Sequence, residues 1–162
     1  MNNSESCLEE LKKNYEIYKN KYNLPEFSKL NQDFGIERIA EIETDLLLRE
    51  IRKFIADRIS NYLRFIESLL NPSNASIFIF SVCKTLDTGD KKEIEELYKE
   101  LMKIELDLIE IDVEYIEEKE ASFINDSYKK WSLFKVRWKK LIDAVKKNWD
   151  NKVDSNNKGY FG

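Results

Sequence analysis

The sequence predicts an all-α protein, an elongated bundle of four to five helices around one long central helix at about residues 36–70. The 162-residue chain has only four glycines and two prolines, and 42% of its residues are hydrophobic while 36% are charged. This composition is typical of a soluble helical domain. The central segment also lacks glycine and proline and repeats its apolar residues at helical spacing. We expect a single helical domain over residues 1–150 and a disordered polar tail over residues 151–162.

The first helix is predicted to begin at Ser6. Ser6–Glu9 matches the capping box, in which the glutamate side chain bonds back to the cap residue. The helix is expected to stop at Asn23–Pro25, because the residue before a proline avoids helical geometry. A connector with one turn of helix around Glu26–Leu30 then leads to the central segment. The apolar residues of the first helix are Leu8, Leu11, Tyr15, Tyr18 and Tyr22.

The central segment, Ile36–Leu70, would span roughly 52 Å as one α-helix at about 1.5 Å per residue. Its apolar stripe recurs about every 3.5 residues, which is the spacing of helices packed side by side. The segment also carries five of the six arginines of the chain. Asn71–Asn74 is expected to end it. The apolar stripe consists of Leu48, Ile51, Ile55, Ile59, Tyr62, Ile66 and Leu69.

Two later segments are compatible with either helix or strand. Residues 75–86 contain the β-prone run Ile77–Phe80, although a buried helix has the same pattern. Residues 109–115 alternate apolar and polar side chains, as a strand would, yet they continue a heptad that begins at Ile94. We favour helix for residues 75–86, because a lone strand has no partner to pair with. We also favour helix for residues 109–115, because the heptad is longer than the alternating run and continues the pattern before it.

The C-terminal part of the chain separates its charges. Residues 93–120 hold twelve acidic and three basic side chains, and residues 129–152 hold nine basic and two acidic ones. A last helix is predicted from about Ala121 to Trp149. Since consecutive helices joined by a short turn pack antiparallel, the basic and acidic segments are expected to pair within the chain. The alternative is that the basic segment binds an acidic partner such as nucleic acid.

No residue pattern points to catalysis, a cofactor or a metal ion. Histidine is absent, which removes the most common general base and transition-metal ligand. Cys7 and Cys83 have no zinc-site spacing, and there is no glycine-rich phosphate loop. We therefore predict a protein that is not an enzyme. Without a signal peptide or an apolar run longer than Ile77–Phe80, we also expect an intracellular protein with no membrane contact.

Four basic residues of the central segment are the candidate partner-binding residues. Arg49, Arg52, Lys53 and Arg64 fall within an arc of about 120° on a helix. They form either an ion-paired face, which could meet the acidic helix, or a strip that binds a partner through bidentate arginine contacts. In the second case, replacing Arg52 and Arg64 by glutamate should leave the chain folded but remove a partner.

The central segment resembles the long helix in the helical domain of a GINS subunit. The resemblance is carried by Ile51–Ile55 (IRKFI) and Tyr62–Glu67 (YLRFIE), with Leu86–Glu93 in place of the turn that precedes an acidic helix in that family. GINS is a heterotetrameric DNA-replication factor that joins the replicative helicase. The resemblance implies a replication scaffold that acts through protein contacts. Those subunits continue into a small β domain, whereas residues 116–150 of this chain read as helix.

The function predicted from the sequence is that of a non-enzymatic assembly subunit. It would bind protein partners, as a hetero-oligomer or a homo-oligomer, with a GINS-like role in replication initiation as the specific version. One alternative is a nucleic-acid-binding module, acting directly or through the complex. The other is a regulatory or ligand-binding bundle with a pocket among Phe54, Phe78, Phe80 and the tryptophans. The expected location is the cytoplasm, or the nucleus if the replication role holds.

Overall fold

The computed structural model describes residues 3–157, and the regular structure in this range is entirely helical. The predicted all-α fold is therefore confirmed. The helices are α1 (Asn3–Tyr22), α2 (Phe27–Phe34), a 3-10 helix (Ile36–Glu41), α3 (Leu47–Leu70), a second 3-10 helix (Pro72–Asn74), α4 (Ile77–Cys83), α5 (Thr88–Asp112) and α6 (Glu117–Asn157).

The first helix starts earlier than its sequence suggests. Residues 3–5 already belong to α1, so Ser6 lies inside the helix and the capping box expected there is wrong. No glycine or proline precedes Ser6 to interrupt the helix. The predicted stop is confirmed: Asn23 adopts a left-handed conformation (φ 51°), and the Leu24 N–H donates to the Lys19 carbonyl at 3.2 Å. This is the hydrogen bond of a Schellman C-cap.

The central helix is shorter than expected and begins at Leu47 rather than at Ile36. Residues 36–41 form a separate 3-10 helix, and Ile42 is extended. The Thr44 hydroxyl accepts the Leu46 N–H at 3.0 Å, a local bond that competes with the helical pattern. The apolar spacing nevertheless continues across the break, and Ile36, in the 3-10 helix before it, is buried like the apolar residues of α3. The 24 residues of α3 span about 36 Å.

Both ambiguous segments contain helix and no strand. Ile77–Cys83 is helical, capped by Ser76, whose hydroxyl accepts the Ile79 N–H at 3.4 Å. Residues 109–112 complete α5, and residues 113–116 form the connection to α6. The helical interpretation is therefore confirmed for residues 77–83 and 109–112.

The last helix extends beyond both of its expected ends. It begins at Glu117 and continues to Asn157, because neither glycine nor proline occurs within it. Residues 151–157, expected in the tail, thus belong to α6, and residues 158–162 lie outside the described part of the chain. The expectation of one domain over residues 1–150 stays a prediction.

Contacts between residues group the chain into two compact units. The first unit contains residues up to 60 together with residues 103–130, and its core is built on the N-terminal half of α3. Tyr15 is fully buried there, and its hydroxyl donates to the Pro25 carbonyl at 2.5 Å. Burial raises the pKa of Tyr15 above its ordinary value of 10.0. Other core residues of this unit are Leu30, Phe34, Ile36, Ile39, Leu48, Ile51, Ile55, Ile59, Ile104 and Ile124.

The second unit contains residues 61–102 and the chain from residue 131 onward. An aromatic cluster lies in it: the Tyr62 ring meets Trp131, Phe134 and Trp138 edge to face, with ring centroids 5.2, 5.4 and 5.8 Å away. Such pairs stabilise beyond the burial of their area. Other core residues of this unit are Leu63, Ile66, Leu69, Ile79, Val82, Leu86, Ile94, Leu97, Leu101, Leu141 and Val145.

We predict that Ile66→Asp prevents stable folding. Ile66 has no exposed surface, and an unpaired carboxylate at such a position costs several kcal/mol, a large part of the roughly 5–15 kcal/mol that stabilises a domain. Thermal unfolding followed by circular dichroism measures the effect. Asn61→Asp, at an exposed position of the same helix, is the matched control and should unfold like the wild type. An Ile66→Asp protein as stable as that control would contradict the burial of this face.

Candidate protein-binding surface

The four predicted basic residues differ in burial and in partners. Arg52 is only 2% exposed. Its Nε donates to Glu120 Oε2 at 2.6 Å, and its Nη2 donates to Asp112 Oδ1 at 3.0 Å. Arg52 is therefore part of an ion-paired face, as one of the two interpretations predicts. Its bonds join α3 to Asp112 of α5 and to Glu120 of α6 within the first unit.

Glu120 is the buried carboxylate at the centre of this group. It has no exposed surface, and its Oε1 lies 3.7 Å from Arg49 Nε without a hydrogen bond between them. The Arg49 guanidinium lies over the Tyr115 ring, 5.0 Å from its centroid. A buried carboxylate needs an opposite charge close by, and Arg49 and Arg52 supply two. We call Arg49, Arg52, Asp112 and Glu120 the buried ionic group after its buried pair, Arg52 and Glu120, although the side chains of Asp112 and Arg49 are 71% and 27% exposed.

The other two predicted residues are exposed. Lys53 pairs with Glu50 at 2.8 Å on the same helix, and Arg64 belongs to the second unit. The four side chains are thus not gathered into one described site, and their partner-binding role stays a prediction. The burial of Arg52 changes one expectation, however. Arg52→Glu would place a third carboxylate beside those of Glu120 and Asp112 in the first unit, so loss of folding is expected rather than selective loss of a partner.

Pairing between the acidic and basic segments is present within each unit. In the second unit Arg137 donates to Glu93 and to Glu100, each at 2.6 Å. In the first unit Lys130 and Asp107 are 3.2 Å apart. The hydrogen bond from Arg137 holds the pKa of Glu93 below its ordinary value. Internal charge pairing therefore engages part of the basic segment that the sequence left open to an acidic partner.

The most unusual surface of the second unit lies at α4. Ile77, Phe78 and Phe80 are 87%, 62% and 51% exposed, although Ile79 and Val82 of the same helix are buried. Exposed apolar residues that occur singly need no explanation, but a group of large ones indicates an interaction site. Three such side chains on one seven-residue helix form such a group.

A hollow of about 460 Å³ adjoins Phe78. The hollow is lined by ten apolar residues together with Lys146 and Asp150. The apolar residues belong to α3, α4, α5, α6 and the segment between α4 and α5. Trp149, which is 38% exposed, is part of this lining. The lining apolar residues are Phe65, Leu69, Phe78, Val82, Leu86, Ile94, Leu141, Ile142, Val145 and Trp149.

A second hollow, of about 430 Å³, adjoins Ile77 and Phe80. Pro72, Ser73 and Ala75 complete its lining. The exposed side chains of α4 therefore line two separate depressions. We call Ile77, Phe78 and Phe80, with the two hollows, the α4 surface.

The pocket expected from the sequence is only partly present. Phe78 lines the larger hollow with Trp149, but Phe80 lines the other one. Phe54 belongs to the first unit, where the Arg38 guanidinium covers its ring at 4.8 Å. The signal for the α4 surface was the run Ile77–Phe80: a short helix that is apolar on every side cannot bury all of its side chains.

Among the side chains that the structure describes, those of residues 5–73 and 75–150, no group of three or more cysteine, aspartate or glutamate residues is arranged to hold a metal ion. Within residues 3–157 no helix combines the length and apolar character needed to cross a membrane. Comparison with protein-family models, with curated proteins and with solved structures found no match. The resemblance to GINS subunits stays a prediction.

We predict that Arg52→Met destabilises the protein by about 3–5 kcal/mol. The buried Glu120 carboxylate would then have only Arg49 near it, at 3.7 Å and without a hydrogen bond. Urea unfolding measures the loss. Lys53→Met, the exposed neighbour, is the matched control and should change the free energy of unfolding little.

The double variant Arg52→Met with Glu120→Met should recover much of the loss, because no charge is then left unpaired. Equal stabilities of the Arg52→Met and Lys53→Met proteins would contradict the buried ionic group.

Proposed function

We propose that this protein is a non-enzymatic helical assembly subunit that binds a protein partner through the α4 surface. The observation that carries the proposal is the exposure of Ile77, Phe78 and Phe80 on one helix, with Phe78 beside an apolar hollow. Each exposed Å² of apolar surface costs about 25 cal/mol relative to its burial. A protein partner that covers the surface would recover that free energy.

Hydrogen bonds at both ends of α4 support this role. At the N-terminus Ser76 caps the helix through the Ile79 N–H. At the C-terminus the Thr85 hydroxyl donates to the Val82 carbonyl at 2.7 Å, and Asn148 donates to the Thr85 carbonyl at 3.1 Å. A binding surface that is already ordered loses less conformational entropy when a partner binds.

The buried ionic group supports a stabilising role for Arg52 rather than a catalytic one. Its carboxylate and guanidinium groups are engaged with one another, and Glu120 has no exposed surface that a substrate could reach. Lys53 and Arg64, which are exposed, stay candidates for additional partner contacts. A GINS-like role would be one form of this proposal.

We predict that Phe78→Ser with Phe80→Ser leaves the chain folded and removes its partner. Affinity purification from the native cell, with quantitative mass spectrometry, would compare this variant with the wild type. The partner identified in this way would then be purified and its affinity measured. At least tenfold weaker binding is expected, since large apolar anchors account for much of the binding energy at interfaces.

The matched control is Leu133→Ser with Val136→Ser, which removes two apolar side chains of α6 that are 67% and 57% exposed. The control should retain the partner. Recovery of the same proteins in equal amounts by both variants would contradict the proposal. If only nucleic acid is recovered, with affinity that falls steeply as salt rises, the nucleic-acid-binding alternative replaces it.

A further inference from the structure

We infer that the larger hollow of the α4 surface is a binding site for an uncharged, largely apolar small molecule with aromatic rings. This inference goes beyond the proposed function, because such a ligand is smaller than a protein and would bind without the partner. It is carried by the lining of the hollow, by its volume and by the balance of charge at its edge.

Buried side chains form the floor of the hollow, and exposed aromatic side chains form part of its rim. Phe78 and Trp149 at the rim are 62% and 38% exposed. Ligand sites in helical proteins are concave, mostly apolar and placed between helices, and this hollow has the same construction. The lining residues that are at most 9% exposed are Leu69, Val82, Leu86, Ile94, Leu141 and Val145.

The volume of the hollow sets the size of the ligand. At about 460 Å³ it lies within the range of roughly 300–1,000 Å³ that is usual for small-molecule sites. An engineered apolar cavity of about 150 Å³ is large enough to bind benzene. This hollow has about three times that volume, so it suits a molecule of two or three aromatic rings.

Water is a poor occupant of the hollow. Lys146 and Asp150 are the only two of its twelve lining residues whose side chains can form strong hydrogen bonds with water. A water molecule in a protein cavity needs two to four polar partners, and the ten apolar side chains supply none. An apolar ligand that displaces such poorly bonded water gains affinity.

The charges at the edge of the hollow balance, and this favours an uncharged ligand. Lys146 and Asp150 lie four residues apart on α6 and are opposite in sign. A charged ligand would lose its hydration without gaining a matching charge in an apolar site. Phe65, Phe78 and Trp149 in the lining favour aromatic ligands, since ring pairs stabilise beyond the burial of their area.

The test uses N-phenyl-1-naphthylamine, an uncharged dye whose fluorescence rises in apolar surroundings. The full chain is titrated, up to about 0.5 mM, into a low fixed concentration of the dye, and a dissociation constant of roughly 10 µM to 1 mM is expected. The sulfonated analogue 1-anilinonaphthalene-8-sulfonate has the same rings and a negative charge. It should bind several-fold more weakly, because the sulfonate finds no net positive charge at the hollow.

Filling the hollow should remove the site. Ile142→Trp places a larger side chain in the lining and should weaken dye binding at least tenfold. Val136→Trp is the matched control: Val136 is 57% exposed on the same helix and outside the lining, so this variant should bind the dye like the wild type. Circular dichroism checks that both variants fold. If Ile142→Trp does not fold, Trp149→Ala, which removes an aromatic side chain of the rim, should weaken binding three- to tenfold.

Methyl NMR of the wild type shows which hollow the dye occupies. The methyl resonances of Leu86 and Val145 should shift when the dye is added, because both residues line the larger hollow. The methyl resonances of Ile77, which lines the smaller hollow, and of Ile55, in the first unit, should not shift.

Lack of saturable binding up to about 0.5 mM, or equal binding by the Ile142→Trp and Val136→Trp proteins, would overturn the inference. Shifts at Ile77 without shifts at Leu86 and Val145 would do the same, as would tenfold tighter binding of the sulfonated dye. Failure of the proposed function is a separate result. If the dye binds but the substitutions at Phe78 and Phe80 remove no protein, only the proposed function fails. If they remove a protein but no dye binds, only the inference fails.

Discussion

A helix can bury only the sides that meet its neighbours, and this constraint explains both the stable and the exposed parts of the structure. In α3 the apolar side chains recur on one side, and Ile51, Ile55 and Ile66 have no exposed surface. In α4 apolar residues occupy successive positions and therefore point in all directions. Ile79 and Val82 are buried, while Ile77 and Phe78 remain exposed. The α4 surface follows from this pattern and not from any unusual backbone geometry.

The buried ionic group shows the same constraint acting on a polar residue. Arg52 lies next to Ile51 at the buried side of α3, where its charge is tolerated because Glu120 and Asp112 accept its hydrogen bonds. Replacing such a group by apolar residues is often neutral or stabilising, whereas removal of one partner is costly. We therefore expect the group to contribute more to fixing which helices meet than to net stability.

Much of the fold could be predicted from local sequence, because composition and apolar spacing are local properties. The lack of a partner strand correctly predicts helix at residues 77–83. Apolar spacing does not reveal the break at residues 42–46, because the spacing continues across it while the Thr44 hydroxyl accepts the Leu46 N–H. Local sequence also does not predict the burial of Arg52, because its partner Glu120 is 68 positions away in the chain. A strip of arginines on a helical wheel carries no information about which of them meets such a partner.

The proposed function depends on apolar side chains of α4 that are exposed in the folded protein and available to a partner. The most direct test is solvent paramagnetic relaxation enhancement of isoleucine methyl groups in dilute protein with a soluble gadolinium chelate. Ile77, at 87% exposure, should relax much faster with the chelate, whereas Ile66 and Ile79, at 0% and 8%, should change little. An Ile77 methyl as protected as that of Ile66 would contradict the account.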